Sequence, residues 1–325
     1  MDRTLVLEYA RVTEAAAIAA SSMIGRGDGE GADQRAVTAM REAFERVHAH
    51  GTIVIGEGER DEAPMLYIGE KVGPQGPDVP EVDIAVDPLE GTNLCAGGLP
   101  GAMAVLAVAR AGDLLHAPDT YMMKLATGPE GRGVCSLELS PTENLRALAA
   151  AKGRRTDEMT VVVLDRPRHA AIIQELRVAG ARIMLITDGD VAPAVATCIP
   201  KSGVDMVIGV GGAPEGVLAA AALLSLDGCF YGQLRFRSDE ERERAIGMGF
   251  MKDPDKIMEL HDLCRGDVIF VATGVTTGTL LKGVRRIGDH LHIHSMALRS
   301  QTGTIRFVET QVDARRFPYQ FVNRL

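Results

Sequence analysis

Aromatic residues are scarce in this sequence. Tryptophan is absent, and Phe and Tyr together supply only 4% of the 325 residues. This scarcity argues against a surface that stacks nucleic-acid bases or sugar rings on aromatic side chains. The formal net charge of −9 at pH 7 also argues against binding to nucleic acid or to an anionic membrane. A polyanionic substrate would need local cations to bind.

Cysteines and long apolar runs are also few. The five cysteines lie far apart and form no C-x-x-C pair, which argues against a disulfide framework and a zinc site. The first residues include acids where a secretion signal would be basic. The longest apolar helix candidate, 217–226, is about half of the roughly 20 residues that cross a bilayer. These features predict a cytoplasmic protein.

Glycine, in contrast, is abundant, with 36 residues, and many glycines indicate tight turns and close backbone approaches. Hydrophobic residues make up 46% of the chain and charged residues 24%, which is typical of a globular protein. The length predicts two domains or one large α/β unit.

The first half of the chain predicts mixed α+β structure. Two helical patterns are separated by the glycine-rich segment 25–31, which predicts a loop. Pro64 stands where the first turn of a further helix would begin. The helical patterns cover residues 5–23 and 34–48, and the predicted strands cover 52–55, 82–86 and 102–110.

The second half predicts a regular α/β sheet with ligand loops at the carboxyl ends of its strands. The polar segment 144–158 is the predicted boundary, which divides the chain into domains 1–155 and 156–325. The charged stretch 235–244 predicts a solvated helix or loop. The strand–helix units are 160–164 with 170–178, 182–187 with 191–198, and 205–210 with 217–226.

The segment 87–93 is the most informative motif. Asp87 and Glu90 follow an apolar strand and, with the carbonyl group of Leu89, offer the hard oxygen ligands that Mg²⁺ or Mn²⁺ prefers. Gly91 and Thr92 could open a helix whose free N–H groups hold a phosphate. The alternative interpretation is a turn followed by a helix cap.

A second acidic cluster spans residues 56–62. Its crowded carboxylates repel one another unless cations are present, and the flanking glycines let Glu57 and Glu59 point the same way. The alternative is a solvated acidic loop. Asp33 precedes the second predicted helix, and taken alone it is typical of an N-cap.

The glycine-rich segment 209–216 follows a predicted buried strand. The dinucleotide-binding pattern G-x-G-x-x-G requires glycine at the position of Pro214, so this segment is interpreted instead as a phosphate or sugar loop. Glu215 would lie near the start of the helix, aimed at a metal or a hydroxyl group. A tight turn with proline in the first helical turn is the alternative.

Charged side chains also follow two neighbouring strands of the second half. Asp188 and Asp190 could bind sugar hydroxyl groups, and Arg166 and Arg168 could bind phosphate. The alternative is a pair of charged loops. The alternating histidines of segment 290–294 resemble an H-x-H metal site, but no acidic motif lies near them in the sequence, so a metal site is not expected there.

At these residues the sequence resembles the class II fructose-1,6-bisphosphatases, bacterial members of the lithium-sensitive, metal-dependent sugar and inositol phosphatase superfamily. The resemblance implies the two-domain sugar phosphatase fold, an α/β fold in a layered α/β/α/β/α arrangement, with a metal-binding first domain and a substrate-binding second domain. The matching motifs lie at 56–70, 87–93, 117–121, 167–169, 188–191 and 211–216.

The resemblance also implies roles for individual residues. The metal ligands, for Mg²⁺ or Mn²⁺, are Asp33, Glu57, Asp87, Glu90 and Glu215. Thr92 orients and helps to activate the attacking water, and Glu59 and Asp61 are further catalytic residues. The substrate contacts are Glu90, Gly91, Thr92, Tyr121, Arg166, Arg168, Asp188, Asp190 and Gly212.

The implied reaction is hydrolysis of the 1-phosphate of fructose 1,6-bisphosphate by direct attack of water, without a covalent enzyme intermediate. A homo-oligomer, dimer or tetramer, is expected. One departure concerns Gly29, which stands where the family usually has lysine. A lysine there would add positive charge near the reacting phosphate.

Three alternative functions compete with this one. Relatives in some photosynthetic bacteria also hydrolyse sedoheptulose 1,7-bisphosphate, and the sequence does not distinguish the two substrates. A dinucleotide-binding oxidoreductase is disfavoured by the glycine pattern at 209–216. A non-catalytic sugar-phosphate sensor would have lost an acidic ligand, and none is lost.

Overall fold

The structure is a computed structural model, and it describes residues 1, 3–58, 64–74, 76, 79–247 and 253–316. The helices are α1 (Leu5–Ser21), α2 (Gly29–Phe44), α3 (Thr92–Gly97), α4 (Pro141–Ala151), α5 (Ala170–Val178), α6 (Val191–Ala196), α7 (Ala213–Ser225), α8 (Asp239–Gly247) and α9 (Leu260–Leu263). The strands are β1 (His50–Ile55), β2 (Lys71–Val72), β3 (Glu81–Glu90), β4 (Met103–Arg110), β5 (Tyr121–Thr127), β6 (Thr160–Leu164), β7 (Arg182–Ile186), β8 (Met206–Gly212), β9 (Cys229–Arg235), β10 (Met258–Glu259), β11 (Ile269–Gly274), β12 (Arg285–Ile287), β13 (His290–Arg299) and β14 (Thr304–Asp313).

The chain divides into two compact units, which differ from the division at residue 155 that the sequence predicts. The first unit contains Met1–Leu114 and Gly266–Leu325, and the second contains Leu115–Arg265. The difference arises because the last part of the chain returns to the first sheet, where β11 pairs antiparallel with β4. The predicted boundary segment 144–158 begins inside helix α4.

The first unit is built on a sheet of order β12-β13-β11-β4-β3-β1-β2, with β14 paired to β13. Helices α1 and α2 pack on this sheet and share a hydrophobic core with it. Most of α1 is buried, and its many alanines let neighbouring backbones approach closely. A helix that is apolar on nearly every side is stable only when it is covered.

Helix α2 begins earlier than the sequence predicts. It starts at Gly29, inside the segment expected to be a loop, and Asp28 caps it by accepting a 2.8 Å hydrogen bond from the N–H of Gly31. Two glycines in the first turn lower helix propensity, but the cap satisfies an otherwise unpaired N–H group. The alternative interpretation of Asp33 as an N-cap is therefore wrong, because Asp33 lies within the helix.

The helix expected from Pro64 does not form. Leu66 has a φ angle of +54°, which an α-helix excludes, and its side chain is completely buried. Its carbonyl oxygen accepts a 3.0 Å hydrogen bond from the N–H of Glu57, and the N–H of Ile68 donates to the carbonyl oxygen of Gly58. The segment therefore satisfies its backbone groups by pairing with the loop after β1.

The second unit confirms the predicted α/β alternation. Its sheet has the order β10-β9-β5-β8-β6-β7, and β6 is parallel to both β7 and β8. Helices α4 and α5 share a core with β5, β6 and β8, while α7 packs near Met122 and Lys124, whose side chains point to the other face. Helix α7 begins at Ala213 rather than at the expected residue 217. The described helices include none that is long and apolar enough to span a membrane.

Candidate active site

The motif 87–93 forms the end of strand β3 and the start of helix α3. The pairing of β3 with β4 is regular up to Asp87 and shifts before Glu90, so the segment that the alternative interpretation made a turn is instead an irregular strand. Pro88 lacks an N–H group and is tolerated at such a bulge. Gly91, with φ +84°, is the N-cap of α3, and the helix begins at Thr92 as predicted.

This strand end brings two carboxylates together. Carboxylate oxygens of Asp87 and Glu90 lie within 4.8 Å of each other, and Glu90 is only 5% exposed. The Oδ1 atom of Asp87 accepts a 3.0 Å hydrogen bond from the N–H of Leu89, which orients its carboxylate. Close carboxylates in a shielded position repel each other, and a hard divalent cation relieves that repulsion.

Thr92 lies beside this pair in the chain and is held by two contacts. Its hydroxyl Oγ1 donates a 3.0 Å hydrogen bond to the carbonyl oxygen of Leu89. Its methyl group faces Gly29, where an added Cβ would lie 3.1 Å from Thr92 Cγ2. The glycine that replaces the family's lysine therefore lies directly against Thr92.

A second pair of acids in the first unit consists of Asp33 and Glu57. Their carboxyl groups are close enough for each to change the pKa of the other, and both side chains are half-buried. Burial raises the pKa of both groups, and the nearby charge of Asp33 raises that of Glu57 further. Helix α2 and the loop after β1 thus supply a further set of oxygen donors suited to a divalent cation. The predicted catalytic residues Glu59 and Asp61 lie outside the described residues.

In the second unit, Glu215 lies in the first turn of α7. Its Oε2 atom is buried and has no hydrogen-bond partner among the described residues. Burial raises the pKa of Glu215, while the positive charge of Lys124 opposes that rise. An added Cβ at Gly212 would lie 2.0 Å from Oε2, so this glycine leaves the space that the carboxylate occupies. A buried carboxylate oxygen without a partner fits the role of a metal ligand.

Two predicted substrate contacts, Asp188 and Asp190, lie in the loop after β7, and their side chains have different partners. Asp190 forms an ion pair with the buried Lys124, whereas Oδ1 of Asp188 accepts a hydrogen bond from the N–H of Gly189. Sequence analysis missed Lys124, because nothing in the sequence pairs it with an acid far along the chain. A glycine is required at position 211, where a Cβ would lie 2.2 Å from Asp190 Oδ2.

The segment 167–169 is hydrogen-bonded to the end of strand β8. His169 is fully buried; its Nδ1 lies 2.7 Å from the carbonyl oxygen of Leu164, and its Nε2 accepts a 2.8 Å hydrogen bond from the N–H of Val210. Arg168 donates to the carbonyl oxygen of Val210 from Nε, at 3.2 Å, and from Nη2, at 2.8 Å. Both main-chain polar groups of Val210 are therefore bound, which fixes the position of the Arg168 guanidinium.

Tyr121 is the first residue of β5, and its side chain is 37% exposed. The guanidinium carbon of Arg168 lies 5.1 Å from the centre of the Tyr121 ring, and that of Arg237 lies 5.5 Å from it. Arg166 instead donates from Nη1 to the carbonyl oxygen of Asp165 at 3.0 Å. Arg237 belongs to the charged stretch 235–244 that the sequence predicts to be solvated. The pairing of β5 with β9 places Arg235 opposite Tyr121, and Arg237 follows two residues later.

Comparison with known proteins agrees with these features. The family model described as bacterial fructose-1,6-bisphosphatase, glpX-encoded, matches residues 3–312. The chain is 48% identical over 324 residues to fructose-1,6-bisphosphatase 1 class 2 of Escherichia coli (strain K12), covering 95% of each chain. It is 46% identical over 332 residues to D-fructose 1,6-bisphosphatase class 2/sedoheptulose 1,7-bisphosphatase of Synechococcus sp. (strain JA-3-3Ab), covering 95% of this chain and 96% of that one. The protein therefore belongs to the class 2 fructose-1,6-bisphosphatase family.

Proposed function

We propose that this protein hydrolyses the 1-phosphate of fructose 1,6-bisphosphate, which gives fructose 6-phosphate and inorganic phosphate. The observation that carries the proposal is the close pair Asp87 and Glu90 followed two residues later by Thr92, in a chain of this family. The second unit supports it separately, because Arg168 beside Tyr121 suits a phosphate group.

The carboxylates of this chain fit divalent cations. The residues that would hold them are Asp33, Glu57, Asp87, Glu90 and Glu215, and Mg²⁺ or Mn²⁺ is the ion proposed. When bound, such cations stabilise the charge that develops on the attacking and leaving oxygens of a phosphoryl transfer. The assignment of Glu215 comes from the family resemblance and from its buried Oε2 atom, which has no hydrogen-bond partner among the residues that the structure describes.

Thr92 is proposed to orient the attacking water. Because its hydroxyl proton is donated to the carbonyl oxygen of Leu89, the lone pairs of Oγ1 remain to accept a hydrogen bond from water. A water whose O–H group is held in this way keeps its own lone pair free to attack phosphorus. Glu59 and Asp61 remain predicted catalytic residues.

The remaining predicted substrate contacts are proposed to bind the sugar and the phosphate that is not cleaved. Arg166 and Arg168 would bind that phosphate beside Tyr121, and Asp188 and Asp190 would bind hydroxyl groups. Asp190 keeps this capacity despite its bond to Lys124, because a carboxylate has about four acceptor sites. The other proposed substrate contacts are Glu90, Gly91 and Gly212.

A second substrate is favoured by one comparison. The Synechococcus relative, 46% identical to this chain, carries a name that includes sedoheptulose 1,7-bisphosphatase. A sugar one carbon longer differs in the distance between its two phosphates. Phosphate release from both bisphosphates, compared at equal concentrations, tests whether this chain accepts each of them.

Cellular location and assembly remain predictions from the sequence and the resemblance. A cytoplasmic homo-oligomer, dimer or tetramer, without nucleic-acid or membrane partners, is the expected state. Size-exclusion chromatography with light scattering measures the oligomeric state directly.

The test of the main proposal uses the purified full chain and measures phosphate release from fructose 1,6-bisphosphate. We expect activity with Mg²⁺ or Mn²⁺, and none after exhaustive chelation. Asp87→Asn should abolish turnover, whereas Glu81→Gln, which changes an exposed acid on the same strand, should not. A wild-type protein inactive with every divalent cation would refute the proposed function, and a fully active Asp87→Asn variant would refute the ligand assignment.

A further inference from the structure

Arg237 is a charged residue that neither the sequence nor the family resemblance assigned to the site. It lies between the end of β9 and the start of α8, and its guanidinium approaches the Tyr121 ring, as that of Arg168 also does. Two guanidinium groups repel each other, and a shared aromatic ring offsets only part of that repulsion. Such convergence is typical of a site that binds an anion.

The position of Arg237 is fixed by a neighbour on α8. Oε1 of Glu241 accepts hydrogen bonds from two guanidinium nitrogens of Arg237, Nε at 3.0 Å and Nη2 at 2.6 Å. Oε2 of Glu241 accepts a 2.6 Å hydrogen bond from the main-chain N–H of Arg237. Nη2 also donates to the carbonyl oxygen of Asp119 at 3.4 Å. The Glu241 side chain is 14% exposed and that of Arg237 is 60% exposed. The carboxylate therefore anchors a guanidinium that faces solvent.

The donors that remain free are the ones a ligand would use. In Arg168, Nε and Nη2 are bound to the carbonyl oxygen of Val210, and in Arg237, Nε and Nη2 are bound as described. The described part of the chain supplies no partner for Nη1 of either residue. Each guanidinium thus keeps N–H donors available beside Tyr121, and planar donors of this kind match phosphate oxygens.

We propose that Arg237 is a specificity-determining residue that binds, together with Arg168 and Tyr121, the phosphate that is not cleaved. The inference rests on the proposed bisphosphatase function and deepens it, since it assigns the preference for bisphosphates to a residue outside the family motifs. Arg166 has a lesser part, because its Nη1 group is bound to the carbonyl oxygen of Asp165.

The test compares Arg237→Gln with the wild type on two substrates, fructose 1,6-bisphosphate and fructose 1-phosphate, which lacks the second phosphate. Loss of a charge-assisted bond to phosphate should raise KM for the bisphosphate on the order of tenfold to hundredfold, with kcat and the KM for fructose 1-phosphate unchanged. Arg237→Lys should recover part of the loss, because it keeps the charge without the planar donors.

A matched control lies on helix α8, which begins two residues after Arg237. Arg242 contacts the Phe236 ring and forms an ion pair with Asp255, so Arg242→Gln should leave both KM values unchanged. A merely structural role for Arg237 predicts that Arg237→Gln and Glu241→Gln lower the melting temperature alike without changing either KM. That outcome, or an equal KM increase on both substrates, would overturn the proposal.

Binding of fructose 6-phosphate, measured by calorimetry with a chelator present, gives a readout that does not need catalysis. We expect Arg237→Gln to weaken it by the same factor as the KM for the bisphosphate, and an unchanged affinity would contradict the proposal. If the wild type failed to hydrolyse the bisphosphate, the proposed function would fall, and this titration would still decide the role of Arg237.

Discussion

The ammonium nitrogen of Lys124 lies 2.8 Å from one carboxylate oxygen of Asp190 and 2.7 Å from the other. Lys124 is only 4% exposed, so the pair is largely removed from water. It links strand β5 to the start of helix α6, and Gly211 packs against it. The loop that carries two of the predicted substrate contacts is thereby fixed to the sheet.

Removing one partner of this pair should destabilise the protein strongly. Lys124→Met leaves the Asp190 carboxylate without its cation, and losses of this kind cost about 3–5 kcal/mol in the free energy of unfolding. Urea denaturation measures the change, and the double variant Lys124→Met/Asp190→Leu should recover much of it. Lys282→Met, which breaks an exposed ion pair with Glu309, should cost at most about 1 kcal/mol. Equal costs for the two lysines would contradict this prediction.

Thr92→Ser should keep measurable activity, and Thr92→Ala should lose most of it. The serine hydroxyl can still donate to the carbonyl oxygen of Leu89 and accept from water, whereas alanine can do neither. Loss of such positioning lowers kcat by roughly 10²–10⁴-fold. Steady-state kinetics with fructose 1,6-bisphosphate measures both variants. If Thr92→Ala matched the wild type, Thr92 would have only a structural role at the start of α3.

Arg168→Ala should raise KM for fructose 1,6-bisphosphate more than it lowers kcat. Its guanidinium is fixed by Val210 beside Tyr121, so it is positioned for the phosphate that does not react. The expected increase is on the order of tenfold to hundredfold. Arg166→Ala should show the same effect to a smaller extent. An unchanged KM with a collapsed kcat would place Arg168 at the reacting phosphate instead.

The protein should lose stability in mild acid because His169 is buried. Burial lowers the pKa of His169, so the folded state resists a proton that the unfolded chain takes up below its ordinary pKa of about 6.5. Below a pH of about 6.5 the unfolded chain therefore binds a proton that the folded chain does not. The free energy of unfolding is highest above that pH and decreases as the pH falls. Urea denaturation across this range should show a smaller acid loss for His169→Gln than for the wild type. The exposed His261 is the control, and His261→Gln should retain the wild-type slope.

Local patterns were sufficient for much of the second unit. Helix α5 spans Ala170–Val178 as predicted, and β6 and the start of α6 also agree with the sequence. Helix α5 has its buried residues at helical spacing and β6 is a short continuous apolar run, so neighbouring residues determine these elements. The same holds for Asp87, Glu90 and Thr92, whose proximity follows from their spacing in the chain.

Local patterns failed where competing interactions decided the conformation. Helix α2 starts at Gly29 because Asp28 caps it, although two glycines in its first turn disfavour a helix. The segment after Pro64 is not helical, because Leu66 is buried with a positive φ angle and pairs with the loop after β1.

The sequence by itself determined the alternation of strands and helices and the acids that follow β3. Only the tertiary structure decided that β11 returns to β4, that Lys124 meets Asp190 and that Arg237 joins Arg168 at Tyr121. The reason is physical: periodicity and capping act over a few residues, whereas these contacts join segments far apart in the chain. They form when distant strands pair in one register and bury their side chains together, and a single sequence does not encode that pairing locally.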